Sequence, residues 1–257
     1  MSPRLAFLVW RRNLEVYLRT WFVNFLPPFL EPLLYIAGFG LGVGSLVGNV
    51  PVGGGLEIPY ARFIAPGMVA VAVMQQAFFE CAYGSFIRMY YQKTFDALLA
   101  TPCTLEDVAA GEIAWGATKA LVSAAIMLPI LAAFGLIAMP GSLWMLPAAL
   151  LAGWAFAAGA FCLAAVVPNI DTFNLPMFLL IMPMFALGET FFPLPESGWM
   201  HAVGPWLPLT PLSRLCRSAS LGTLAPLHAL GVLLLYSLAA LLLSMLGTRW
   251  MRRRLIP

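Results

Sequence analysis

Long uncharged apolar segments alternate with short polar segments along the whole chain. A helix needs about 20 mostly apolar residues to cross the hydrocarbon core of a bilayer. The pattern predicts six such helices, over residues 24–46, 63–86, 111–137, 143–167, 175–192 and 227–246. Because lipid offers no hydrogen-bond partners to the backbone, helices are the spanning structure to expect. The pattern therefore predicts an all-α integral membrane protein with six transmembrane helices.

The division between the third and fourth predicted spans rests on one charge-free stretch. Residues 120–170 contain no charged side chain. A single helix of this length would extend about 76 Å, which is more than twice the thickness of the hydrocarbon core. The chain must therefore turn back, and Met139-Pro140-Gly141-Ser142 is the best turn sequence in the middle of the stretch.

The segments around the first span carry a second kind of pattern. Residues 1–22 place arginines among apolar and aromatic residues, which predicts an amphipathic helix in the membrane interface. A cleaved signal peptide would instead place its charge before one continuous apolar run. Prolines between residues 27 and 32 predict that the first span is kinked at its start or begins as a separate short helix, and the glycine-rich residues 47–60 predict a loop.

Two polar segments carry further short helices. Residues 93–100 have apolar side chains on one helical face, and residues 104–107 form a capping-box-like start for the third span. Residues 193–225 contain five prolines, two tryptophans and two arginines, and are neither long nor apolar enough for two spans. They predict short helices that lie in the interface or re-enter the membrane partway before the last span.

Composition agrees with this pattern, and charge adds an orientation. The chain is 61% hydrophobic and 10% charged, whereas a soluble domain carries about 25% charged residues. With six spans, eleven of the fourteen basic residues fall on the side of the two termini, if Lys119 lies near a helix end. Basic residues favour the cytoplasmic side, so both termini are expected inside and residues 193–225 outside.

Candidate chemistry is sparse. The four cysteines are far apart and the two histidines have no acidic or cysteine neighbours at ligand spacing, so we expect neither a disulfide framework nor a metal site. The chain has two lysines and neither follows a glycine, so the phosphate-binding P-loop is absent. We therefore expect no catalytic residue and no cofactor in this chain.

Four carboxylates fall inside apolar segments: Glu31, Glu80, Glu112 and Glu189. A carboxylate in a membrane is costly and is a functional candidate by default. Glu112 and Glu189 are expected near helix ends, where they reach water or an arginine. Glu31 and Glu80 either line a polar cavity or brace helices through hydrogen bonds.

The segment between the second and third predicted spans is a candidate docking site. A short amphipathic helix between two spans suits contact with a soluble partner on the cytoplasmic side. Phe95, Leu98 and Leu99 would fill a groove of that partner, while Lys93 and Asp96 would set the register. The alternative is a surface helix that only rests on the membrane.

Residues 63–116 resemble the permeases of ABC-2 type exporters, and most closely the nodulation-factor (lipo-oligosaccharide) export permeases. The similarity extends over nearly the whole chain and is fairly specific for the ABC-2 subclass, although drug and polysaccharide exporters share the same motifs. It is carried by LEPLLYIAGFGLGVGSLV at 30–47, FIAPG at 63–67, LLATP at 98–102, Gly111-Glu112, GETFFPLP at 188–195 and the prolines of 205–211.

The resemblance implies a single membrane domain over residues 1–257 that pairs with a second copy of itself and with two ATPase subunits. ATP and Mg would be bound by the ATPase, and no nucleic acid partner is implied. Residues 93–107 would form the coupling region, and residues 1–22 would lie on the inner leaflet of the bacterial inner membrane. The coupling residues are then Lys93, Phe95, Asp96, Leu98, Leu99, Glu106 and Asp107.

The same resemblance implies export of an amphiphile, such as a lipo-oligosaccharide, along a path between the first, second and fifth spans. Glu31, Glu80, Phe78, Phe79, Tyr83, Phe185 and Phe191 are the candidate pathway residues. The aromatic side chains could instead face lipid or pack in the core. Alternative functions are export of a drug or another saccharide or lipid, a membrane-embedded lipid-modifying enzyme, and a proton-coupled transporter.

Overall fold

A computed structural model describes residues 2–52, 57–195, 197–223 and 227–255, with side chains up to residue 252 in the last segment. Within this part of the chain, six helical segments are long and apolar enough to cross a membrane. They are span 1 (Trp21–Val47), span 2 (Tyr60–Tyr91), span 3 (Leu105–Ala133), span 4 (Gly141–Val166), span 5 (Ile170–Leu187) and span 6 (Leu227–Arg252). The predicted all-α membrane fold is confirmed.

The spans are built from α-helices joined by π-helical or 3₁₀ turns. The α-helices are α1 (Pro3–Arg19), α2 (Trp21–Tyr35), α3 (Gly44–Val47), α4 (Tyr60–Phe79), α5 (Thr94–Leu99), α6 (Leu105–Ala133), α7 (Met145–Val166), α8 (Asn174–Pro176), α9 (Met182–Leu187), α10 (Trp199–Val203), α11 (Leu209–Leu221) and α12 (Leu227–Leu255). π-Helical turns occupy Ile36–Val43, Glu80–Gly84, Ile87–Tyr91 and Met177–Ile181, and 3₁₀ turns occupy Gly141–Trp144, Ile170–Phe173 and Gly204–Trp206.

Local capping moves the ends of two spans away from the predicted ones. Span 3 begins at Leu105 and not at residue 111, because Thr104 and Asp107 form a complete capping box at the start of α6. Span 5 begins at Ile170 and not at residue 175, because the Asn169 side chain accepts a hydrogen bond from the Thr172 amide. Both spans consequently end earlier than predicted.

Span 1 begins at Trp21 and not at residue 24, and the following loop also differs from prediction. The prolines of residues 27–32 lie inside α2, which begins directly after α1. The predicted loop contains a short antiparallel ribbon of β1 (Asn49–Pro51) and β2 (Glu57–Pro59). Val50 and Ile58 face each other across it and are both buried, which favours the ribbon over an open loop. The triple glycine of this segment lies outside the described residues.

Span 2 lies at the centre of the bundle, with 83% of its most apolar window buried inside the chain. Spans 3 and 4 form the predicted hairpin and pack closely, because Gly153 lies against the backbone of Ala117 and the methyl group of Ala120. Helix α1 lies along the start of α6, where Gly111 faces Val9. The predicted N-terminal helix is therefore fixed to the bundle on one side.

The segment before the last span contains the predicted short helices α10 and α11. Helix α11 is buried along most of its length against α4, from Leu209 to Ser220. It therefore packs among the spans, and its place in the interface or partway into the membrane stays a prediction.

Candidate functional site

The end of span 2 brings charged side chains into the bundle. Its last turns are π-helical, and Arg88 there binds two carboxylates. Its Nη1 atom lies 2.8 Å from Glu80 Oε1, and its Nη2 and Nε atoms lie 2.5 and 2.9 Å from Glu112 Oε2. Gly84 leaves room for this arrangement, since a Cβ atom there would lie 3.1 Å from Glu80 and 3.3 Å from Arg88.

Glu112 is the most buried member of this ion network. Its side chain is 0% exposed. It also accepts hydrogen bonds from Asn13 Nδ2 at 2.8 Å and Ser85 Oγ at 2.7 Å. The prediction that Glu112 reaches an arginine is confirmed, and the earlier start of α6 places it about two turns inside the helix. The carboxylate joins α1, span 2 and α6 inside the protein.

Lys119 completes the network from the middle of α6. Its Nζ atom lies 2.8 Å from Glu80 Oε2. The assumption that Lys119 lies near a helix end is therefore wrong, because an ion pair with Glu80 holds it inside the span. Glu80 both braces helices and lines an open cavity, so the two roles considered for it coexist. We call Asn13, Glu80, Ser85, Arg88, Glu112 and Lys119 the inner ion network.

The short helix of the coupling region is confirmed as α5, but its contacts change the predicted roles. Phe95 is 0% exposed. It anchors α5 to this chain and cannot fill a groove of a partner as expected. Lys93 and Asp96 are exposed and lie 3.7 Å apart. Leu98 and Leu99 are half-buried and pack against the core.

The two acidic residues at the end of the coupling region differ from each other. Asp107 is 1% exposed, caps α6 through Thr104 and accepts a hydrogen bond from the Ser2 amide at 2.5 Å. Its expected role as a contact for another protein is therefore replaced by a structural one. Glu106 is partly exposed and lies 2.8 Å from Arg252 Nη2, so it connects the start of span 3 with the end of span 6.

A second ion cluster, which we call the α11 clasp, holds span 5 to α11. Glu189 binds Arg214 through two hydrogen bonds of 2.7 Å, and its carbonyl accepts a 2.5 Å bond from Arg217. The Arg217 guanidinium lies 3.9 Å from the centre of the Phe63 ring in α4. The prediction that Glu189 reaches an arginine is confirmed. Glu189 adopts a positive φ of 55°, and these bonds hold it there.

The two arginines of the α11 clasp lie outside the six spans, and their pKa values are shifted in opposite directions. The hydrogen bonds that Arg214 donates to Glu189 raise the pKa of Arg214. Burial lowers the pKa of Arg217 to about 10, against the opposing effect of Glu189. Both side chains remain cationic at neutral pH, so the clasp stays charged.

The candidate pathway residues fall into two groups. Phe78, Phe79 and Tyr83 follow one another in ring contact along span 2, and Tyr83 continues to Phe173 at 4.7 Å. Phe185 and Phe191 pack together at 4.8 Å. Phe191 also contacts Phe39 of span 1, and Glu31 is hydrogen-bonded to Tyr35 of the same span. Among the described residues no ring contact joins the two groups, although both touch span 5 or its end.

Sequence reasoning missed most partners of the buried carboxylates. Arg88 and Asn13 were not singled out for Glu112, and Lys119 was not singled out for Glu80. The signal that could have indicated these partners is the rule that an ionisable group in an apolar span has a partner of opposite charge. That rule requires a partner but does not say which helix supplies it.

The described residues offer no obvious place for a resident metal ion. They contain no group of three or more His, Cys, Asp or Glu side chains that could hold one. Cys81, Cys103, Cys162 and Cys216 are all free thiols. Each carboxylate of the inner ion network and the α11 clasp faces arginine or lysine, so the chemistry of these sites is ion pairing between helices.

The described residues form six apolar spans, with span 2 at their centre. An N-terminal helix is attached to them, a short helix lies between spans 2 and 3, and a buried helix precedes the last span. This architecture defines a multi-pass helical membrane protein. The family model described as ABC-2 type transporter matches residues 4–221. The chain belongs to this family and is a transporter membrane subunit.

Relatives extend the similarity over almost the whole chain. Nodulation protein J of Rhizobium meliloti (strain 1021) is 34% identical over 97% of this chain and 93% of its own length. Nodulation protein J of Rhizobium leguminosarum bv. trifolii is 35% identical over 96% and 93%. The inner membrane transport permease YadH of Escherichia coli (strain K12) is 24% identical over 72% of this chain and 70% of its own length.

Proposed function

We propose that the chain is the permease subunit of an ATP-driven exporter that moves an amphiphile, such as a lipo-oligosaccharide, outward across the bacterial inner membrane. Family membership together with the nearly full-length similarity to nodulation proteins J carries the proposal. The specific cargo rests on the motif resemblance to lipo-oligosaccharide exporters. ATP and Mg would bind to a separate ATPase subunit, since this chain has no P-loop.

Helix α5 is the proposed contact for the ATPase. Lys93 and Asp96 are exposed, while Phe95 fixes the helix to the core. A push on α5 would pass to the bundle through Phe95, and through the Thr94 hydroxyl, which accepts a 3.4 Å hydrogen bond from Arg12. Arg12 in turn contacts Asn13 of the inner ion network at 3.1 Å. Movement of the ATPase would thus reach the buried ends of spans 2 and 3.

The proposed exporter contains two copies of this chain and two ATPase subunits. Span 1 favours a second copy, because only 6% of its most apolar window is buried inside one chain. A path between spans 1, 2 and 5 would run past Phe79, which is 39% exposed, and past the half-buried Phe185 and Phe191. Both termini and α5 would lie in the cytoplasm, in keeping with the distribution of basic residues.

The decisive experiment compares the chain with and without its ATPase in proteoliposomes. The purified permease should hydrolyse no ATP by itself. The assembled complex should move a fluorescent lipo-oligosaccharide between leaflets only with ATP and Mg. Asp96→Lys on α5 should reduce this transport, whereas Glu15→Lys on the exposed face of α1 is the matched control and should leave it unchanged.

Two results would contradict the proposal. Substantial ATP hydrolysis by the permease alone would show that this chain has an ATPase site of its own. Transport driven by a pH gradient without ATP would instead make it a proton-coupled transporter. If the complex transported a drug but no lipo-oligosaccharide, the exporter function would stand and the proposed cargo would be wrong.

A further inference from the structure

An open cavity of about 300 Å³ lies beside the inner ion network. Its walls come from α1 and the start of α2, the end of span 2 and the middle of α6. The volume is at the lower end of the range of small-molecule pockets, about 300–1,000 Å³. It suits a compact headgroup and is too small for an oligosaccharide.

The charges of the cavity do not balance. Three cations, Arg12, Arg88 and Lys119, line it, and only Glu80 among its lining residues is acidic. Glu112 lies behind the wall, so the cavity and the inner ion network together carry three positive and two negative charges. Arg88 and Lys119 use both carboxylates. One positive charge is left, and it belongs to Arg12.

Arg12 is held in place by neutral groups. Its guanidinium contacts Asn13 Oδ1 at 3.1 Å and Thr94 Oγ1 at 3.4 Å. Within the described residues it forms no ion pair, whereas the neighbouring Arg11 pairs with Glu15 at 2.9 Å. The nearby carboxylate of Glu112 attracts Arg12 but is already bound by Arg88. An arginine fixed in this way at a concave, polar surface is well suited to bind an anion, and guanidinium groups bind phosphate with particular strength.

An apolar surface lies beside the cavity. Thr20 and Asn24 line the cavity, and the three residues between them, on the other faces of the helix, have highly exposed side chains: Trp21 at 58%, Phe22 at 62% and Val23 at 70%. This junction joins the interfacial helix α1 to span 1, so it lies at the level of lipid headgroups. A free anion would gain nothing from these apolar side chains, whereas acyl chains would pack against them.

We propose that this cavity binds the phosphate headgroup of an anionic membrane phospholipid, with Arg12 as its counter-charge and the acyl chains on the exposed apolar surface of α2 beside the cavity. The bound lipid would complete the charge balance of the inner ion network and fasten α1 to spans 2 and 3. The site does not depend on the proposed export function, because neither ATP nor a partner subunit contributes to it.

Native mass spectrometry of the full-length chain in detergent tests the proposal, with phosphatidylglycerol as the probe. The chain should retain phosphatidylglycerol in preference to phosphatidylcholine. Arg12→Gln should weaken retention about tenfold, the effect of losing a charge-assisted hydrogen bond. Arg12→Lys should keep part of the binding. Arg11→Gln, one residue away in the same helix, is the matched control and should bind like the unchanged protein.

The outcomes separate the sources of phosphate chemistry. Loss of phosphatidylglycerol in Arg12→Gln but not in Arg11→Gln supports the site, and an unchanged melting temperature of Arg12→Gln without lipid shows that the variant is folded. Equal retention by the two variants overturns it, as does equal retention of phosphatidylcholine. Displacement of the lipid by an equimolar amount of inorganic phosphate overturns the lipid assignment, because the apolar surface of α2 would then contribute nothing to binding.

Discussion

Glu112 shows how one residue can determine the packing of several helices. Its carboxylate is fully buried and contacts Arg88 and Ser85 of span 2 and Asn13 of α1. Removing one member of a buried ion pair leaves the other charge without compensation, which costs far more than the loss of an exposed pair.

Glu112→Gln should therefore lower the stability of the folded chain in detergent by about 3–5 kcal/mol, the usual cost of breaking a buried ion pair. Thermal unfolding followed by fluorescence would measure it. Glu106→Gln is the control, because the exposed Glu106–Arg252 pair should contribute about 1 kcal/mol or less. Similar losses for the two variants would show that Glu112 does not have the role assigned to it.

The contacts of single residues were predicted least well from the sequence. The four carboxylates in apolar segments were recognised because a charge there is rare and costly. Their partners were not, since Arg88 and Glu112 are 24 residues apart and no local pattern connects them. Phe95 was predicted to face a partner because amphipathicity identifies an apolar face but not what covers it. Burial depends on the neighbouring helices.

At the scale of elements, the contact between α1 and α6 depends on the absence of one side chain. A Cβ atom on Gly111 would lie 2.6 Å from Val9 Cβ and 2.7 Å from the Ala6 carbonyl oxygen. Helix α1 therefore approaches α6 more closely than any residue with a side chain would permit. The position of the interfacial helix follows from this glycine.

Gly111→Ala should push α1 away from α6 and destabilise the chain by about 1–3 kcal/mol, the usual cost of overpacking. Gly159→Ala in α7 is the control, since no atom lies within 4 Å of a Cβ atom built there. That change should be neutral or slightly stabilising, because alanine favours helices by up to about 1 kcal/mol. Limited proteolysis within residues 2–20 would report release of α1, and an unchanged cleavage rate in Gly111→Ala would contradict this account.

The α11 clasp should behave as one coupled unit. A double-mutant cycle of Glu189→Gln and Arg214→Gln should give a coupling energy of about 1–3 kcal/mol, as expected for a bidentate pair with a buried carboxylate. The exposed pair Arg11 and Glu15, studied in the same way, should give about 0.5 kcal/mol or less. Additive effects of the two substitutions in the clasp would indicate that Arg217 alone holds Glu189.

At the same scale, the number and type of elements could be predicted, but not where each ends. Apolar length alone separates the six spans, and the charge-free stretch requires a hairpin. Helix ends depend on single side-chain caps such as Thr104 and Asn169, which shift a boundary by several residues. The β ribbon was missed because its pairing depends on the burial of Val50 and Ile58.

For the whole molecule, the distribution of charge predicts the orientation in the membrane. A variant with the four native cysteines replaced and one new cysteine at Asn49 should react with a membrane-impermeant maleimide in intact cells. The same variant with the new cysteine at Arg11 should react only after permeabilisation. Both positions are exposed on the protein surface, so accessibility from each side decides the result. The opposite labelling pattern would place both termini outside.

The π-helical turns distinguish two groups of spans. Among the described residues they occur in spans 1, 2 and 5, whereas spans 3 and 6 are α-helical from end to end and span 4 has only a 3₁₀ first turn. Converting one π turn to an α turn passes one residue along the helix, which rotates everything beyond it by about 100° and advances it by about 1.5 Å. The π turns therefore mark the positions in spans 1, 2 and 5 at which a shift of helix register would rotate one part of a span against the rest. In span 2 such a shift would break the bonds of Arg88 with Glu80 and Glu112.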